Sequence, residues 1–209
     1  MRSRTLQFVK LFSAILTGGI LVFTGGCTMT SPPNNYYLLS PLSQTNMNTM
    51  NNPADSAALG ILSVQLPDYT DRPQIVTRVD KNRVHFAEFD RWAEPLQNNI
   101  SMVLGENLAI LLGTDHVALY PWKAGTPIDY QVAVNIKRFI GSLNGDAILI
   151  VRWHILDKNG QKILLTKQSE FKQKVPMPTY DALVQAMNQN IADLSREIAT
   201  AIRSVRASE

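Results

Sequence analysis

Between Trp92 and Leu112 apolar residues return every three or four positions: Trp92, Leu96, Ile100, Val103, Leu104, Leu108, Leu111 and Leu112. This is the period of a helix with one apolar stripe, and such a stripe must be buried against something. Asp90 is placed to cap its start, Pro95 falls in the first turns where a missing N–H costs little, and Gly113 suits a left-handed C-cap. Upstream, residues 74–78 and 83–86 are strand-like and are separated by Asp80-Lys81-Asn82, a turn composition. A hairpin feeding a long one-sided helix is a core in outline. Residues 67–113 are therefore the hub of the domain.

The remaining segments supply what that hub packs on. Tyr36-Tyr37-Leu38-Leu39 is a short strand candidate for a sheet edge, and 59–66 is a strand with Leu62, Val64 and Leu66 on one face. Residues 116–120 form another short strand. In 130–137, Tyr130, Val132, Val134 and Ile136 alternate with polar neighbours, as in a strand with one wet face. Residues 147–156 are apolar at nearly every position, which predicts a central strand covered on both faces. Asn159-Gly160 then turns the chain into a long strand over 161–175 whose polar end suggests an edge. After Pro176 and Pro178, Thr179 caps a closing helix with the stripe Tyr180, Leu183, Val184, Met187, Ile191, Leu194, Ile198, Ile202 and Val205. The expected fold is α+β: about seven strands, mostly antiparallel, with two long helices packed on one face.

The N-terminus has a different logic. Arg2, Arg4 and Lys10 precede an apolar run over 11–23, too short to span a membrane as a helix and suited to a signal peptide. Thr24-Gly25-Gly26-Cys27 resembles a bacterial lipobox, although Thr24 stands where an aliphatic residue is usual. Residues 1–26 are read as a lipoprotein signal peptide. Cys27, the single cysteine, becomes the acylated N-terminus, followed by a polar tether to residue 35. The folded domain is then 36–206, with 43–58 a mobile loop by composition. Thr28, rather than aspartate, follows the cysteine, and by resemblance to the sorting rule of enteric bacteria this directs the protein to the outer membrane.

Processing also removes the net charge. Taking Arg2, Arg4 and Lys10 from 20 cations leaves 17, against 17 acids. A neutral domain has no electrostatic footprint for a phosphate backbone, so nucleic acid is excluded as a partner.

Motifs for chemistry are missing. Gly-x-Ser-x-Gly does not occur, and Gly141-x-x-x-Gly145 lacks the Lys-Ser/Thr of a phosphate loop. His85, His116 and His154 each sit alone in strand-like sequence without a ligand-spaced companion, so no metal and no cofactor is expected. Glu88 and Asp90 could be paired carboxylates, but helix-start chemistry explains Asp90, Arg91, Trp92 and Glu94 more simply. Asp68, Asp71 and Arg72 suit a turn held by carboxylate caps.

Three blocks carry a family resemblance: Pro67-Asp68-Tyr69, Asp71-Arg72-Pro73-Gln74-Ile75-Val76-Thr77-Arg78, and Phe89-Asp90-Arg91-Trp92-Ala93-Glu94-Pro95-Leu96. They resemble the PqiC (YmbA) family of lipoproteins, within the broader ABC-type transport auxiliary lipoproteins. The likeness covers nearly all of residues 27–205. It implies a non-enzymatic subunit of a trans-envelope lipid-transport system whose partner is a PqiB-type MCE-domain protein with its inner-membrane component. The outer-membrane lipid is met through acylated Cys27. Asp68, Tyr69, Asp71, Arg72, Gln74, Arg91 and Glu94 are the candidate partner contacts. A homo-oligomer would match an oligomeric tunnel, yet no residue fixes a self-interface.

Overall fold

The computed structural model describes residues 32–43 and 57–208. In chain order the elements are β1 (Asn35–Tyr37), β2 (Leu59–Ile61), a 3-10 turn (Asp68–Thr70), β3 (Gln74–Arg78) and β4 (Val84–Trp92). Then come α1 (Leu96–Leu112), β5 (Val117–Leu119), β6 (Tyr130–Gly141), β7 (Asp146–Asp157), β8 (Ile163–Lys174) and α2 (Tyr180–Ala207). The signal peptide, Cys27 and the first part of the tether lie outside the described residues, as does most of the 43–58 loop.

The fold is α+β, with one eight-stranded sheet. β6 organises it. One edge of β6 pairs antiparallel with β7 along its length, and β7 pairs antiparallel with β8. The other edge is shared: β2 runs parallel to its first residues, and β3 meets its end at Thr77↔Gly141. β4 pairs antiparallel with β3, while β1 joins β4 and β5 joins β2 in parallel. The long ladders are antiparallel as expected, but the short strands make the sheet mixed.

Both helices cover one face. In α2 the side chains of Leu183, Met187, Ile191, Leu194, Ile198 and Ile202 are buried, so the sequence stripe is the core face. Each such burial stabilises by about 1.5–3 kcal/mol. Thr179 caps the helix by accepting from the Ala182 N–H at 3.3 Å. Gly141 permits the close fit of α2 on the sheet: a Cβ there would lie 2.3 Å from Leu183 Cδ1. Gly113 takes the left-handed conformation that ends α1, at φ 65°.

Several local expectations are corrected. Asp90 does not cap α1 and Trp92 is not its first rung: both belong to β4, and Pro95 occupies the N-cap. Trp92 is buried all the same, because β4 runs on until its N–H donates to the Pro73 carbonyl at 2.7 Å. β7 is not covered on both faces. Ala147, Leu149, Val151, Trp153 and Ile155 are buried under the helices, while Ile148, Ile150, His154 and Leu156 on the other face are only half-buried. In 59–66 the strand ends at Ile61 and the buried residues are Leu59, Gly60, Ile61 and Val64. His116 lies just before β5, not in it. Among the described residues β8 pairs only with β7, so it is an edge.

A strap follows β1. Residues 38–42 lie along both helices through their backbone. Asn99 of α1 accepts from the Leu39 N–H at 2.7 Å and donates back to the Leu39 carbonyl at 3.4 Å. Asn107 accepts from the Leu42 N–H at 2.7 Å, and Asn188 of α2 from the Ser40 N–H at 3.0 Å. Asn107 also donates to Ser195 Oγ at 3.1 Å, locking α1 to α2.

Candidate functional site

A cleft of about 740 Å³ opens where β3 begins and β4 ends. One wall is the segment 65–73, the other 92–97. Their junction is fixed by the Trp92–Pro73 hydrogen bond, and the Ala93 N–H donates to the Tyr37 carbonyl at 2.9 Å. Trp92 and Leu96 are buried among its lining, Leu66 is half-buried, and Pro73 and Pro95 stiffen the rim. Such a surface is apolar below and polar above, the usual composition of a recognition site.

Of the seven residues singled out from the sequence, Asp68, Asp71, Arg72 and Glu94 line the cleft. Tyr69, Gln74 and Arg91 do not. Tyr69 turns toward β6, where burial pushes its phenol up in pKa while the Phe139 N–H and the charges of Arg138 and Arg78 oppose the shift. Gln74 and Arg91 are register partners across β3 and β4, and Arg91 also faces Tyr36 of β1. Sequence reasoning missed Gln65, Leu66 and Gln97, which come from outside the contiguous blocks. Gln97 Nε2 donates to Ser63 Oγ at 2.8 Å, tying the second wall to the chain just before the first.

The lining holds three carboxylates, Asp68, Asp71 and Glu94, and one guanidinium, that of Arg72, so it is acidic. Arg72 is held with its guanidinium carbon 4.0 Å from the Phe86 ring centroid, a cation–π contact. Its Nε is buried without a hydrogen-bond partner, as is Arg91 Nε. The 3-10 turn is closed by Thr70, whose hydroxyl donates to the Pro67 carbonyl at 2.6 Å, and by backbone bonds. The expected carboxylate caps are not what hold it; both acids are exposed in or beside the turn.

Glu88 and Asp90 are not arranged as an acid–base pair. Asp90 accepts from Tyr37 Oη at 2.9 Å and Asn35 Nδ2 at 3.0 Å, which fastens β1 to β4. Burial, then the Asp90 carboxylate, pushes the Tyr37 phenol far up. Glu88 is exposed. His154 shares a 2.8 Å hydrogen bond with Thr166 across β7 and β8, and His85 is exposed on β4. Among the described residues, no group of three or more His, Cys, Asp or Glu side chains is placed to hold a metal ion.

The family described as the ABC-type transport auxiliary lipoprotein component matches residues 37–199, from the end of β1 into α2. The chain belongs to this family. As a member of the ABC-type transport auxiliary lipoproteins it is a membrane-anchored auxiliary component of an ABC-type transport system, and other transporter components are its partners. No curated protein matches the chain. Among solved structures, the crystal structure of an uncharacterized protein aligns with TM-score 0.66 at 22% identity, covering 82% of this chain and 99% of its own. A protein from Xanthomonas campestris aligns with TM-score 0.67 at 15% identity, covering 83% of this chain and 97% of its own. At such identities the likeness shows the shared fold alone.

Proposed function

We propose that this auxiliary lipoprotein sits at the outer membrane through acylated Cys27 and docks an MCE-type tunnel there. The tunnel is that of a PqiB-type protein working with its inner-membrane component. The signal peptide of 1–26 and the tether to residue 35 place the domain beside its leaflet. The carrying observation is the cleft, because the Asp71-Arg72-Pro73 and Trp92-Ala93-Glu94-Pro95-Leu96 segments behind the family resemblance build its two walls.

The work done is positional rather than catalytic. An acidic rim over Trp92, Leu96 and Leu66 complements a partner segment that is basic and apolar. Asp68, Asp71, Arg72 and Glu94 are the contacts proposed inside the cleft. Gln74 and Arg91 brace the strands behind it, and Tyr69 anchors the turn. Fatty chains supply the membrane affinity, since more than one chain is needed for stable attachment. The test is co-purification of the full lipidated protein with its MCE-domain partner in mild detergent. Association is expected, and it is expected to fall at least tenfold in an Asp71→Lys, Glu94→Lys variant. A partner that never co-purifies, or that ignores the charge reversal, contradicts the docking role.

A further inference from the structure

We infer that the end of the sheet carrying the β3–β4 hairpin tip lies on the lipid surface, with anionic headgroups as its ligand. This rests on the lipid-anchor reading of Cys27. β1 is parallel to β4, with Asn35 opposite Asp90 and Tyr37 opposite Trp92. The chain before Asn35 therefore enters from the side of the hairpin tip. From Arg91, opposite Gln74, back to Val84, opposite Arg78, is about 13 Å, the four-residue rise of β3, because β4 is bulged between them. The eight residues 27–34 reach roughly 28 Å when fully extended. A lipidated Cys27 can thus be level with the tip.

The tip has the surface that such a position requires. Val79 is 57% exposed and Val84 39%, apolar side chains left partly open at the hairpin end. Lys81 and Arg83 flank them. Asp80 pairs with Arg83 at 2.6 Å and also accepts from the Asn82 N–H at 2.9 Å, so the turn is preformed. Arg78 donates to the Lys81 carbonyl at 2.9 Å, and Arg78, Lys81 and Arg83 against Asp80 leave the tip with a surplus of positive charge.

Topology brings further groups to the same end. Thr77 meets Gly141, so the β6–β7 turn lies alongside, and the Val175 N–H donates to the Gly145 carbonyl at 3.0 Å. That bond puts Lys174 and Met177 at this end, Met177 being 60% exposed. Aliphatic side chains ringed by lysine and arginine fit the headgroup layer of an anionic bilayer. The cleft sits where β4 ends, about 13 Å from the tip by the four-residue rise of β3 between Arg78 and Gln74.

The experiment places a polarity-sensitive fluorophore on Val84→Cys in the full lipidated protein. Acylation leaves the introduced thiol as the reactive one, since the chain has a single cysteine of its own. The protein is reconstituted in phosphatidylethanolamine–phosphatidylglycerol vesicles containing brominated lipid tails, with Ile163→Cys at the opposite end of the sheet as comparison. Quenching at residue 84 is expected to exceed that at 163 severalfold, and to fall with Lys81→Glu and Lys174→Glu or with phosphatidylcholine vesicles. Equal quenching at both positions, or none at 84, overturns the inference. Failure of the anchor reading shows separately, as an unacylated Cys27 by intact mass. The same protein added to vesicles still decides the tip: quenching at 84 upholds lipid contact, and its absence refutes it.

Discussion

Asn107 does at one position what several apolar residues could not. Its side chain is buried in α1, yet it accepts from the strap and donates to Ser195 of α2, so three segments share one amide. Replacing it with alanine leaves the part-buried Leu42 N–H without its acceptor, while Ser195 keeps its bond to the Ile191 carbonyl. A buried polar group left unpaired costs about 1–3 kcal/mol. Asn107→Ala is expected to lower the denaturant midpoint accordingly, measured by circular dichroism with an unchanged slope. An unaltered midpoint would mean that water already competes for this group. None of this was legible from sequence, where Asn99 and Asn107 look like ordinary interruptions of an apolar stripe. Their partners are 60 or more residues away in the chain.

At the scale of elements, α2 was legible because its stripe, cap and flanking prolines agree. α1 was legible in its body and its Gly113 end but not at its start. Trp92 lies four residues before Leu96 and continues the helical period by coincidence, being buried from a strand instead. The β1–β4 and β2–β6 pairings were hidden, since parallel neighbours without a connecting turn leave no local signal. β7 was misjudged because hydropathy does not distinguish a half-buried isoleucine from a fully buried one. The contact between α2 and β6 depends on Gly141. Gly141→Ala forces the new methyl against Leu183 and toward the Ala147 backbone, whose Cα is 3.2 Å away. Overpacking of this kind costs about 1–3 kcal/mol. Thermal unfolding is expected to show that loss, with recovery in part by Leu183→Ala, which removes the clashing atoms.

On the scale of the whole molecule the β3–β4 hairpin has two working ends. The start of β3 and end of β4 hold an acidic, apolar-floored cleft; the opposite hairpin tip is cationic and apolar. The candidate site was partly readable, because Asp68, Asp71, Arg72 and Glu94 fall in contiguous blocks, while Gln65 and Gln97 reach it only through folding. The central claim is that this cleft receives the transport partner. The most direct test is photo-cross-linking in living cells, with a photoreactive residue at Gln97 in the cleft and, for comparison, at Thr166 on β8. The expected result is an adduct with the MCE-domain protein from position 97 and none from 166. No adduct from 97, or equal adducts from both, would contradict it.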